Sequence, residues 1–127
     1  MNKKIVVGIC GGSIKQRAEV LEYISYFSLG TGHDVTLPAS VRSSVRRGEA
    51  LEQAIESSPS SFVIASIHAF EEAEVVEGFG GQVVHIDGLP SDDIPMSRES
   101  ILVTLNETRG RYISPAAAYA ELIKRAA

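Results

Sequence analysis

Short apolar runs alternate along the chain with longer stretches in which apolar positions recur at helical spacing. Ile5-Val6-Val7 is the first run. It is continuous and rich in β-branched residues, so it reads as a strand buried on both faces. Gly8 to Ser13 reads as a tight Gly-rich turn. From Ile14 the period becomes helical: Ile14, Ala18, Leu21, Ile24 and Phe27 fall near one face, and Gly30 is the stop signal. Val35-Thr36-Leu37 predicts a second strand, closed by Pro38. A polar helix follows over 43–57, with Val45, Leu51, Ala54 and Ile55 on its apolar side. Phe62-Val63-Ile64-Ala65 predicts a third strand, and residues 70–77 a short helix broken by Gly78, Gly80 and Gly81. Val83-Val84-His85-Ile86 predicts a fourth strand. Asp87 to Ser97 carries two prolines and three aspartates and reads as loop. Ile101 to Leu105 is the last predicted strand. Ser114-Pro115 starts the final helix, with Ser as N-cap and Pro at the first helical position, and Tyr119, Leu122, Ile123 and Ala126 as its apolar residues.

Strands alternating with helices predict a three-layer α/β/α domain with a mainly parallel sheet of about five strands. Val6, Val63, Ile64, Val84 and Val103 are expected at its centre. The 127 residues suffice for one domain, spanning 1–127. Ligands of such sheets bind beyond the carboxyl ends of the strands. That rule selects the segments after Val7, Leu37, Ala65, Ile86 and Leu105.

Composition narrows the classes. The net charge of −4 argues against bulk nucleic-acid binding, although it leaves room for a local basic patch. The single cysteine, Cys10, forms no internal disulfide, which fits a cytosolic compartment. Met1 to Lys4 lead into a very short apolar run, with neither a signal-peptide core nor a bilayer-length apolar stretch expected.

The first turn holds the most chemistry. It reads Gly8-Ile9-Cys10-Gly11-Gly12-Ser13-Ile14-Lys15-Gln16-Arg17. Glycines admit backbone N–H groups close to a phosphate, and the helix start adds a favourable dipole. A working P-loop follows G-x-x-x-x-G-K-[ST]. Here Ser13 and Ile14 stand at the second Gly and the Lys, and Lys15 stands at the hydroxyl position, so the lysine is one residue out of register. Gly8, Gly11, Gly12, Ser13 and Lys15 are the candidate phosphate-binding residues. Lys15 and Arg17 occupy a first helical turn that disfavours cations, a cost a bound anion would reverse. Arg42, Arg46 and Arg47 form a second basic cluster, with Arg42 and Arg46 four apart on one expected helix face. They read either as a clamp for phosphate or carboxylate or as a solvated face balanced by Glu49 and Glu52. Arg109 and Arg111 read either as closing over a phosphate or as a mobile surface loop. The histidines do not have metal-ligand spacing; His68 with Glu71 or Glu72 comes nearest. No metal site is expected.

One segment resembles a known family. Val63-Ile64-Ala65-Ser66-Ile67-His68-Ala69-Phe70-Glu71-Glu72-Ala73-Glu74, continued by Gly80-Gly81-Gln82-Val83-Val84-His85-Ile86, is similar to the second half of the deoxynucleoside monophosphate kinases of bacteriophages. In that family a buried strand ends in a D-x-R pair, a Glu-Ala pair follows on a helix, and a Gly-Gly turn leads to the next strand. The first turn with Lys15 resembles the family's P-loop, and Leu105-Asn106 resembles the strand-end Asn before its last helix, with Tyr119 to Leu122 in the helix that follows. The resemblance implies a P-loop-kinase-like fold, a phage or prophage source and hence the host cytoplasm. It implies ATP and Mg²⁺ as cofactors, Lys15 and Arg42 as the catalytic residues, and Arg42, Arg46, Ser66 and His68 as substrate-binding residues. Ser66 and His68 replace the family's Asp and Arg, and the stretch from Arg42 to Phe62, which builds the monophosphate pocket and lid, is far shorter than the family's.

Phosphoryl transfer rests on positioned Lys, Mg²⁺ and Arg. The expected protein is therefore a nucleotide- or phosphate-binding relative impaired in catalysis. The alternatives are an active small nucleoside monophosphate kinase and a module that binds a host or phage protein, with a homodimer among the partners. A further alternative is a nucleoside-processing enzyme on a flavodoxin-like fold with Asp87 as its carboxylate.

Overall fold

The computed structural model describes residues 4–126. In chain order the elements are β1 (Ile5–Cys10), α1 (Ile14–Phe27), β2 (Gly32–Asp34), α2 (Ser44–Ser57), β3 (Phe62–Ser66), α3 (Phe70–Gly78), β4 (Gln82–Ile86), β5 (Ile101–Val103), β6 (Tyr112–Ile113) and α4 (Pro115–Ala126). The six strands form one sheet in the order β2-β3-β1-β4-β5-β6, and every strand pairing is parallel. This is the expected α/β/α architecture with one strand more. The order matches neither the doubly wound dinucleotide-binding sheet nor the flavodoxin-like one.

Side chains alternate across the central strand, and the alternation builds two cores. Val7 and Ile9 face α1 and α4, where they meet Val20, Leu21, Ile24, Ala118 and Leu122. Val6 and Cys10 face α2 and α3, where they meet Leu51, Ile55, Ala73 and Val76. Val6, Val63, Ile64, Val84 and Val103 are all buried, as the apolar runs predict. Ser114 caps α4 by accepting from the Ala117 N–H at 3.1 Å, and Pro115 opens that helix. Lys4 sits at the other end of the sheet and donates from Nζ to the carbonyls of Ile55 (2.5 Å) and Ser58 (2.6 Å). It gives a cation to the carbonyl end of α2, where the helix dipole favours one.

Several boundaries differ from the pattern-based expectation. β1 runs through Gly8, Ile9 and Cys10, so the turn shrinks to Gly11–Ser13. β2 is Gly32–Asp34 rather than Val35–Leu37. Val35 and Leu37 lie just beyond it and pack half-buried on the α2/α3 core. Ile14 is 75 % exposed, and Val20 takes a place in the α1 core in its stead. Arg42 precedes the α2 N-cap, Ser43, so it shares no helix face with Arg46. Val45 is exposed, whereas Arg47 is buried. Among the described residues no helix is long and apolar enough to cross a membrane.

Candidate functional site

The helices decide where the sheet opens. α1 packs on one face with α4, while α2 and α3 pack together on the other. The chain leaving β1 therefore turns to one face, and the chain leaving the adjacent β3 turns to the other. A crevice results between the carboxyl ends of β1 and β3, the topological switch point at which ligands of open α/β sheets bind.

The Gly-rich turn forms one wall of this crevice. Gly11 and Gly12 have φ of +80° and +60°, a left-handed path that residues with a Cβ rarely take. Ser13 is the α1 N-cap in a reciprocal capping box. Its Oγ accepts from the Gln16 N–H (3.1 Å), and its own N–H donates to Gln16 Oε1 (2.8 Å). The Gly12 N–H donates to the Leu89 carbonyl at 2.7 Å. Among the described residues nothing accepts from the N–H groups of Ile14 and Lys15, the first two of the helix.

Arg17 fills the crevice from the first turn of α1. Its Nε donates to Ser66 Oγ at the end of β3 (2.8 Å), and its Nη1 donates to the carbonyls of Gly11 and Gly12 (both 3.1 Å). Burial pulls its guanidinium below the ordinary value, opposed by the neighbouring Cys10 and Glu72. The Ser66 N–H in turn donates to Thr36 Oγ1 (2.8 Å), tying the segment after β2 to the end of β3. The cation in the disfavoured first turn thus finds carbonyl and hydroxyl acceptors within the protein.

Behind the crevice lies a buried ion pair. Arg47 Nε donates to Glu72 Oε1 (3.0 Å), and Arg47 Nη1 donates to the carbonyls of Pro38 (3.1 Å) and Val41 (2.7 Å). Glu72 Oε1 also accepts from the backbone N–H groups of His68 and Ala69, both at 3.1 Å. Arg47 therefore belongs neither to a phosphate clamp nor to a solvated face. It pins the 38–41 loop and the start of α3 together.

The remaining sequence-predicted residues are dispersed. Gly8 is a buried strand residue whose added Cβ would stand 2.6 Å from Ile67 Cδ1, so it faces packing rather than the turn. Ser66 is half-buried under Arg17. His68 is exposed and reaches Glu72 through its backbone. Lys15, Arg42 and Arg46 are exposed, Lys15 on the second residue of α1 and Arg42 on the loop into α2. Arg109 pairs with Asp87 Oδ1 (2.7 Å) and lies 5.1 Å over the Tyr112 ring. Asp87 Oδ2 accepts from Thr104 Oγ1 (3.1 Å). Arg111 donates to the carbonyls of Arg98 (2.6 Å) and Ser100 (2.9 Å). Asp87, Arg109 and Arg111 are thus held in the framework of the 87–113 segment. Arg17 and the Arg47–Glu72 pair are the polar groups that sequence reasoning did not place. The one signal for Arg17 was a cation in a helix turn where cations are disfavoured.

A P-loop cradle needs its backbone N–H groups turned toward the ligand. Here Gly12 and Ser13 direct theirs to Leu89 and Gln16, and the Ser13 hydroxyl is engaged in the cap. These residues do not fit Mg²⁺ and ATP, and no phosphoryl-transfer step follows from them. What remains at the mouth, among the described residues, includes the N–H groups of Ile14 and Lys15, the positive end of α1 and the Lys15 ammonium.

Cys10 closes the floor beside β4. Its Sγ lies 3.2 Å from His85 Nδ1 in the core. Burial pushes the thiol up from 9.0 to about 12, and the Arg17 charge opposes the shift. An unfolded chain ionises this thiol near 9.0, so between that pH and about 12 the unfolded state alone has lost the proton. Stability falls as pH rises through that window, and the thiol's contribution is fully present below it. Urea melts across the window should show a shallower fall for Cys10→Ala than for the parent. Parallel curves would contradict the assignment.

Comparison with protein-family models finds no match to this chain, and comparison with curated proteins finds no significant relative.

Proposed function

We propose that the chain binds a nucleotide or another phosphorylated small molecule, with the phosphate at the start of α1, and that it does not transfer phosphate. The observation that carries this reading is the pair of N–H groups of Ile14 and Lys15, without an acceptor among the described residues, beside the Lys15 side chain at the switch point of the sheet. The backbone donors differ from those the Gly-rich motif points to, because Gly12 and Ser13 are already engaged. Arg42, on the loop after β2, belongs to the same carboxyl edge and is the candidate second cation. The resemblance of residues 63–86 to phage deoxynucleoside monophosphate kinases points to a deoxynucleoside phosphate as the ligand class. The occupied turn and the replacement of the family's Asp and Arg by Ser66 and His68 favour binding over the active kinase.

A thermal-shift screen of nucleoside mono-, di- and triphosphates tests the ligand class. A ligand that binds the folded state alone raises stability by about 2.7 kcal/mol at a hundredfold excess over its Kd. The expected result is a rise with phosphorylated compounds, independent of Mg²⁺ and absent with the parent nucleosides. A rise that requires Mg²⁺ and a triphosphate would favour the kinase reading.

A second reading has its own observation. On the outer side of α1 and just past its end, Tyr23, Tyr26 and Leu29 are 51 %, 76 % and 90 % exposed, as a surface that receives another protein would be. A phage or host protein, or a second copy of the chain, is the partner in that reading. It is favoured if no phosphorylated compound shifts the melt.

A further inference from the structure

A second concavity lies away from the α1 start, on the α3 face of the sheet. β4 has α3 on one flank, but beyond it β5 and β6 have no helix on that face among the described residues. The 87–100 loop covers the gap by inserting Ile94 into the core. A groove of about 480 Å³ remains between α3, β4 and this loop. That volume lies within the range of small-molecule sites. Phe70, Val83 and Ile94 give it apolar walls, and Glu77 and Glu99 bring two carboxylates that have no ion-pair partner among the described residues.

His85 lies in the floor and is 1 % exposed. Its Nδ1 is taken by Cys10 Sγ. Among the described residues its Nε2 has no hydrogen-bond partner, yet no buried side-chain nitrogen or oxygen there is left unsatisfied. Nε2 is therefore the atom open to the groove. Either Sγ or Nδ1 supplies the hydrogen of this contact, and where the thiol supplies it the proton of the neutral imidazole lies on Nε2. In that tautomer the groove offers one N–H donor at its base and two acceptor carboxylates on its walls.

We propose that this groove binds a neutral heteroaromatic amine, with a ring acceptor on His85 Nε2–H and its amino group on Glu77 or Glu99. The donor and acceptor pattern selects this class. An anion would meet two carboxylates. An alkylammonium brings donors alone and would face the Nε2–H without an acceptor. A hydrocarbon would leave that N–H unpaired, at the cost of a desolvated polar group. A flat ring carrying an acceptor next to an amine satisfies both and fills the space between Phe70, Val83 and Ile94. The site is independent of the phosphate site at α1, and its occupant need carry no phosphate.

The test is a titration of the full chain with 2-aminopyrimidine, followed by ¹H–¹⁵N correlation at the histidine ring nitrogens. Before ligand is added, His85 should show a protonated Nε2 and an unprotonated Nδ1. On titration the Nε2 signal should move saturably, with a Kd of about 1 mM or tighter. Pyrimidine, which lacks the amine, and aniline, which lacks the ring acceptor, should each bind about tenfold more weakly. Glu77→Gln and Glu99→Gln leave the fold intact at exposed positions, and at least one of them should weaken 2-aminopyrimidine by a similar factor. Four results would overturn the proposal: a proton on Nδ1 instead of Nε2, no saturable shift, equal binding of the three probes, or binding of N-acetyl-lysine amide in place of 2-aminopyrimidine.

Discussion

Replacing Glu72 with alanine should cost about 3–5 kcal/mol of folding stability, the penalty for leaving one member of a buried ion pair unpaired. The Glu72 side chain is fully buried and Arg47 is 2 % exposed, so the guanidinium would lose its counter-ion in a site shielded from solvent. The loss extends beyond the pair. Glu72 Oε1 also holds the N–H groups of His68 and Ala69, the entry to α3, and Arg47 holds the carbonyls of Pro38 and Val41. Urea unfolding of the single variant should show the full loss. The double variant Arg47→Met, Glu72→Leu should recover most of it, because well-packed apolar replacements of buried pairs are often neutral or better. A loss below about 1 kcal/mol for the single variant, the size of an exposed pair, would show that water enters behind the crevice.

Gly81→Ala should be comparably damaging, at about 3 kcal/mol or more, the upper end for overpacking. The added Cβ would land on the Val6 carbonyl oxygen and come within 2.8 Å of the Val76 carbonyl oxygen. Both obstacles are backbone, in β1 and α3, so no side-chain rotation relieves them. The Val76 carbonyl also accepts the Gly81 N–H at 2.9 Å, which fixes the glycine in place. Gly78→Ala makes the contrast: nothing lies within 4 Å of its added Cβ and its φ is not left-handed. That change should stabilise by about 0.4–1 kcal/mol through the unfolded chain. Denaturant midpoints of the two variants on opposite sides of the parent are the expected outcome. Equal midpoints would mean that the α3–β4 junction relaxes to admit a Cβ.

The parts of the fold legible in the sequence are those whose residues are buried on both faces. Ile5-Val6-Val7 and Phe62–Ala65 declare themselves because a central parallel strand has no polar face to confuse its pattern. β2 is illegible for the opposite reason. Gly32-His33-Asp34 has no intrinsic strand preference, and its pairing beside β3 is set by tertiary contact. β6 is two residues long and emerges only from its pairing with β5. Helical spacing puts Ile14 on the apolar face, but it stands at the mouth of the turn, beyond the sheet it would have to cover.

The candidate site is legible in the sequence as a place and not as a geometry. The Gly-rich segment and the cations after it mark the start of α1, but a sequence pattern does not reveal where N–H groups point. The Gln16 side chain and the Leu89 carbonyl occupy donors that a P-loop would offer. Leu89 comes from 77 residues further along the chain, on the loop after β4. Arg47 shares its dipeptide with the exposed Arg46, and only the position of Glu72 on α3 separates the roles of the two.

We propose that the start of α1 holds a phosphate through Lys15 and the N–H groups of Ile14 and Lys15, which have no acceptor among the described residues. Titration calorimetry of a deoxynucleoside monophosphate into the parent chain, Lys15→Ala and Lys124→Ala tests it most directly. Lys124 is an exposed cation in the last turn of α4, at the opposite edge of the sheet; Lys3, also expected at that edge, lies outside the described residues. A charge-assisted contact contributes about 1.5–3 kcal/mol. Lys15→Ala should therefore bind roughly ten- to a hundredfold more weakly, with Lys124→Ala close to the parent. Equal affinities for all three chains, or no heat of binding with the parent, would contradict the claim and leave the Gly-rich turn as architecture.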